Sequence, residues 1–102
     1  MIPLIEQNRS AISLLCDRFG IKRLELFGSA ARGDFKSASS DVDFFVEFAD
    51  YNAPTIADQW FGLQEELEKL LGVKVELVSL RTARNPYFLE VANRHKVTLY
   101  AA

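Results

Sequence analysis

Apolar and polar positions along this chain follow two periods. Residues 5–19 place Ile5, Ile12, Leu15 and Phe19 close to helical spacing, and Gly20 supplies a stop, so a first helix is predicted there. The period then changes. Arg23-Leu24-Glu25-Leu26-Phe27 alternates polar and apolar, which predicts a short strand over 21–27. Residues 28–40 are rich in Gly, Ser and Ala and read as turn and loop, with room for one helical turn after Ser29. Period two returns over 41–48. Val42, Phe44, Val46 and Phe48 share one face, and Asp41, Asp43, Phe45 and Glu47 share the other. That second face is mixed, so it is expected to meet a cleft at its acidic end and core in its middle.

Residues 50–54 read as a loop. Thr55 or Asp58 is placed to cap a helix that runs to about Leu71, with Trp60, Leu63, Leu67 and Leu70 as its apolar stripe and Gly72 as its end. Residues 73–80 predict a third strand, with Val73, Val75 and Leu77 on one face and Lys74, Glu76 and Val78 on the other. Pro86 suits the first turn of a last helix, about 86–95. Residues 97–100 form a short apolar tail expected to pack down. Trp60 and Phe61 read as core, and Cys16 as a small core residue rather than a nucleophile. The lone His95 reads as a side chain that favours a helix C-terminus rather than a ligand or base. The order helix, strand, strand, helix, strand, helix predicts an α/β (α+β) domain, a small mixed sheet flanked by helices, with residues 1–102 as a single unit.

Composition narrows the partners. The chain has 102 residues, 49% hydrophobic and 25% charged, the balance of an ordinary globular domain. A net charge of −2 and a pI near 5.3 argue against non-specific grip on nucleic acid, which needs a basic face. No apolar run approaches the roughly 20 residues of a membrane span. Met1-Ile2-Pro3-Leu4-Ile5-Glu6 lacks the basic and apolar blocks of a signal peptide. Cys16 is the one cysteine, which excludes an internal disulfide. These features lead us to expect a cytoplasmic protein.

The candidate chemistry sits where the first strand ends and the second begins. Asp41 and Asp43 stand at i and i+2, so their side chains share a strand face roughly 7 Å apart. Two carboxylates so placed repel each other unless a positive group lies between them, and a divalent cation that takes oxygen ligands is the simplest answer. Glu76 is a third acid, mid-strand and out of phase with Val75 and Leu77. Beside the second strand it could join the pair, and three carboxylates could hold two Mg²⁺ ions about 3.5–4 Å apart. Glu76 would then act as ligand, general base, or both. Gly28 lets another group approach the backbone, and Ser29 adds a hydroxyl and an N–H, a pairing suited to phosphate. No Gly-Lys-Ser/Thr follows, so this is not a Walker A loop. Arg32 and Lys36 could neutralise phosphate charge. Surface pairs and ordinary tight turns would look the same for several of these residues.

Leu26-Phe27-Gly28-Ser29-Ala30-Ala31-Arg32-Gly33-Asp34, then Ser40-Asp41-Val42-Asp43-Phe44-Phe45-Val46, resembles the signature of the minimal nucleotidyltransferases of the polymerase-beta-type superfamily. Gly72-Val73-Lys74-Val75-Glu76-Leu77-Val78 resembles the family's third-acid strand, and Asn85-Pro86-Tyr87-Phe88-Leu89 its last-helix start. The resemblance implies the nucleotidyltransferase fold, with ATP as substrate and Mg²⁺ as cofactor. It places Gly28, Ser29 and Arg32 on the nucleotide and Asp41, Asp43 and Glu76 on metal and in catalysis. It further implies an antitoxin that transfers AMP to a tyrosine hydroxyl of a partner HEPN-domain toxin, as part of a hetero-oligomer. Three departures stand out. The loop between Gly-Ser and Asp-x-Asp is one residue longer than is common, Ala30 stands where Arg is common, and Glu76 where Asp is common. A non-catalytic antitoxin acting by contact, and transfer to a small molecule, are the alternatives. The latter usually needs a further substrate-binding domain. Tyr87 and Phe88 are candidates for partner docking as much as for core.

Overall fold

The computed structural model describes residues 2–33, 41–80 and 85–102. The three segments read as strands are strands, β1 (Ile21–Phe27), β2 (Val42–Phe48) and β3 (Val75–Ser79), and a fourth, β4 (Val97–Ala101), joins them. The helices are α1 (Pro3–Gln7), α2 (Arg9–Arg18), α3 (Ser29–Arg32), α4 (Ile56–Leu71) and α5 (Pro86–Asn93). The sheet order is β3-β2-β1-β4, with β1 antiparallel to both β2 and β4 and β2 parallel to β3. A parallel pair cannot be closed by a hairpin, and α4 makes the crossover. The mixed sheet and its flanking helices are as expected from the sequence.

The two faces of the sheet are covered differently. On one, Leu24, Leu26, Val42, Phe44 and Val46 pack against α2 and α4 through Ile12, Cys16, Leu63 and Leu67 in one core cluster. On the other, Phe27 and Phe45 pack with Ala92 of α5, joined by Val78, Leu80 and Leu89. Phe27 and Phe45 stack with centroids 4.1 Å apart, and Phe88 meets both edge-on at 5.8 and 6.0 Å. The mixed face of β2 therefore has core in its middle, as its pattern implied.

Several expectations are corrected. The first helix is two helices, broken at Asn8, whose backbone (φ −107°, ψ 9°) leaves the helical region while its side-chain amide donates to the Leu4 carbonyl at 2.8 Å. Asparagine competes for backbone partners in this way. The apolar tail is an edge strand, β4, whose Val97, Thr98, Tyr100 and Ala101 pair with β1. Phe61 is 65% exposed rather than core, because Leu63 and Leu67 set the inward stripe of α4 and Phe61 lies off it. Glu25, read as the polar side of an alternation, is 2% exposed. It accepts from Thr98 Oγ1 at 2.9 Å and from Lys96 Nζ at 3.3 Å, so its charge is matched inside the sheet. The last helix stops at Asn93, short of the expected 95, and leaves His95 exposed beyond it. Asn85 caps that helix, its Oδ1 accepting from the N–H groups of Tyr87 and Phe88. Cys16 is fully buried, and burial pushes its thiol up to about 12, which removes it as a nucleophile. Among the described residues no helix is long and apolar enough to cross a membrane.

Candidate functional site

Register decides which acids meet. Asp43 lies opposite Phe27 in the antiparallel β1–β2 ladder and opposite Glu76 in the parallel β2–β3 ladder. Directly paired residues share a sheet face. Asp43 and Glu76 therefore stand side by side on the face that α5 partly covers, at the edge of the Phe27–Phe45 patch. Asp41 lies just before β2, whose first ladder bond runs from the Val42 N–H to the Lys74 carbonyl at 2.9 Å. It is exposed, as is Glu76, while Asp43 is half-buried.

Gly28 closes the site from the other side. β1 ends at Phe27, and Gly28 takes φ 75° and ψ −155°, a conformation open essentially to glycine alone. A Cβ there would stand 2.5 Å from Asp43 Oδ2. The missing side chain thus lets the Asp43 carboxyl lie against the backbone as the chain turns into α3. Ser29 is the first residue of α3 and half-buried, and Arg32 is its last and exposed. Ala30 between them is fully buried in the main core, so a long cation has no room there.

The electrostatics follow from this crowding. Asp43 is pushed up to about 6, first by burial, then by the Glu76 charge and a hydrogen bond between the two side chains, then by Asp41, against a smaller opposing pull from Arg32. All of Asp43, Glu76, Asp41 and Arg32 therefore act on one point. Among the described residues no three His, Cys, Asp or Glu side chains already stand as a closed metal-binding group. A hydrogen bond links the Asp43 and Glu76 side chains, and Asp41 acts on Asp43 through its charge.

Residues 9–99 match the family described as Nucleotidyltransferase domain. The chain belongs to this family. A Methanocaldococcus jannaschii relative named a "putative protein adenylyltransferase" is 42% identical over 74 residues, 72% of each chain. The protein adenylyltransferase MntA of Thermococcus cleftensis is 42% identical over 64 residues, 63% of this chain and 61% of that one. A solved structure described as a "putative minimal nucleotidyltransferase" superposes with a TM-score of 0.74 at 34% identity, covering 94% of this chain and 95% of that one. A toxin-antitoxin complex solved with AMP-PNP gives 0.71 at 25% identity, covering 93% and 74%.

This nucleotidyltransferase thus gathers Gly28, Arg32, Asp41, Asp43 and Glu76 in one place, with Ser29 following Gly28. Lys36, the other expected loop cation, lies outside the described residues. The sequence reading missed the wall beside the acids: Phe27, Gly28, Arg32, Phe88, Val91 and Ala92 line a hollow of about 160 Å³. Its signal was Phe45, the one apolar residue on the acidic face of β2.

Proposed function

We propose that this nucleotidyltransferase transfers AMP from ATP, with Mg²⁺, to a tyrosine hydroxyl of a partner HEPN-domain toxin and so acts as its antitoxin. The observation that carries the reading is Asp43, pressed against Gly28 and paired across the strands and hydrogen-bonded with Glu76. The protein adenylyltransferase names among the relatives, and the toxin-antitoxin complex with AMP-PNP among the similar structures, support the donor and the partner class.

The donor set fits a hard divalent cation. Two carboxyls in hydrogen-bond contact and a third adding its charge offer oxygen ligands only, the preference of Mg²⁺. In this reading Asp41 and Asp43 would hold Mg²⁺ with Glu76 beside them, and the metal would compete with the proton on Asp43. The bound metal supplies charge neutralisation on the phosphates and lowers the pKa of the attacking hydroxyl. Gly28 and Ser29 offer backbone N–H groups and a hydroxyl to the terminal phosphates, and Arg32 adds charge-assisted hydrogen bonds. The acceptor oxygen forms a bond to the α-phosphorus as the bond to the β-phosphate bridging oxygen breaks. Pyrophosphate departs, and Glu76 takes the hydroxyl proton. Asp41 and Glu76 are exposed, so an acceptor hydroxyl on another protein can reach them.

The test is transfer of label from α-labelled ATP with Mg²⁺ to a partner protein, with the product of the neighbouring gene as the first acceptor tried. Label that disappears in the Asp41→Asn/Asp43→Asn variant is expected. A stable complex of the two proteins without any label would replace catalysis with neutralisation by contact.

A further inference from the structure

We propose that the hollow between α3 and α5 is the subsite for the nucleobase, with Phe88 and Val91 as its walls. The inference rests on the ATP-dependent reading above and adds where the base sits and what selects it.

Size is the first argument. At about 160 Å³ the hollow is smaller than the roughly 300–1,000 Å³ of a pocket that takes a whole ligand. It therefore holds a fragment of a ligand whose remainder lies elsewhere. Lining is the second. Phe27, Phe88, Val91 and Ala92 give it apolar walls, and Gly28 and Arg32 form the side that borders the acids. A triphosphate would leave its charges unmatched against those walls. Of the parts of ATP, only the base has two apolar faces and the size of such a slot. Position is the third. Gly28 belongs both to this hollow and to the contact with Asp43, so a ligand can pass from one into the other without leaving the protein surface.

Phe88 has the features of a stacking platform. Its ring is held edge-on by Phe27 and Phe45, yet it stays 38% exposed. Val91, one turn further along α5, is 41% exposed. A held but uncovered aromatic ring loses little entropy on stacking, and base–aromatic stacking is worth enough to dominate the affinity of a small site.

Calorimetry with Mg²⁺ would compare ATP with inorganic tripolyphosphate on the wild type, Phe88→Ala and Val91→Gln, with Tyr87→Ala as a neighbour that does not line the hollow. Loss of stacking is expected to weaken ATP about 5- to 150-fold in Phe88→Ala, with a smaller loss in Val91→Gln. Tripolyphosphate should bind all four proteins alike, and Tyr87→Ala should keep wild-type affinity for both. Unchanged ATP affinity in Phe88→Ala and Val91→Gln would overturn the subsite, including the case where the KM of the acceptor protein rises instead, which would give the hollow to the acceptor ring. Equal weakening of ATP and tripolyphosphate would overturn it too. A wild-type protein that bound neither would fell the nucleotidyl-transfer reading itself, a result separable from the others.

Discussion

Asp43 Oδ2 lies 2.5 Å from the place where a side chain on Gly28 would begin. The turn after β1 and the carboxyl on β2 are therefore parts of one contact, and neither can change alone. Gly28→Ala meets two penalties. The backbone at φ 75° is strained for any L side chain, at about 1–3 kcal/mol, and the new methyl displaces the Asp43 carboxyl. The expected outcome is a lower melting temperature and a loss of AMP transfer of at least about tenfold at a temperature where the variant is still folded. Transfer that tracked only the folded fraction would show that the contact has no part in the chemistry.

The raised pKa of Asp43 has a sign that can be read in stability. The folded protein holds this proton to about pH 6, above the ordinary carboxylate value of 3.8. Between those values the folded state binds more protons than the unfolded, so stability falls as pH rises through the window, and the ionised group remains a cost above it. Without metal, Asp43→Asn should therefore melt higher than wild type at pH 8 and no higher below about pH 3.8. Mg²⁺ should raise the wild-type melting temperature more at pH 8 than at pH 5, where protons compete for the same oxygens. Equal Mg²⁺ effects at both pH values, or an Asn variant less stable at pH 8, would contradict this account.

Most of the fold was legible because its strands are short and strictly periodic. β1 spans the expected 21–27, and Val42, Phe44 and Val46 are buried together as their spacing required. The misses in the sheet and the site share a cause, that tertiary context overrides local pattern. Glu25 looks like a solvent residue by alternation, yet Lys96 and Thr98 reach it from a segment that carries no strong signal of its own. Residues 97–101 could be read only as an apolar tail, since an edge strand is defined by the strand it joins. In the site, the acids and the Gly-Ser turn were visible as types at a spacing. Pairing of Asp43 with Glu76 was not, because it depends on the β2–β3 register. The aromatic wall was also hidden, since Phe27, Phe45 and Phe88 converge from three elements.

Asp41 separates chemistry from stability. It is exposed, lies outside the ladder and acts on Asp43 through its charge. Asp41→Asn should leave stability within about 0.5 kcal/mol of wild type, as surface changes usually do. Transfer should fall by at least about a hundredfold, since a positioned charge on the reacting centre is lost. The check is a denaturant midpoint beside a rate from α-labelled ATP. Transfer near the wild-type rate would remove Asp41 from the site.

Lys96 tests how the site is held rather than what it does. Its ammonium lies 3.3 Å from Glu25 Oε1, and Thr98 Oγ1 lies 2.9 Å from Oε2. Glu25 stands two residues before Phe27 on β1, and Lys96 follows α5 by three residues, so the pair ties the end of α5 to the strand that leads into Gly28. Lys96→Met leaves a 2% exposed carboxylate with its hydroxyl partner only. The full penalty for an unpaired buried charge is about 3–5 kcal/mol. Here the lysine side chain is 32% exposed, so water reaches the pair, and a loss nearer 1–2 kcal/mol is expected. Replacing both groups, Glu25→Met with Lys96→Met, removes the stranded charge and should recover part of that loss. Denaturant midpoints of the two variants decide the matter. If the single variant loses nothing, the pair is solvated and α5 is held by its aromatic contacts alone; if the double variant is the less stable of the two, the carboxylate itself contributes through Thr98.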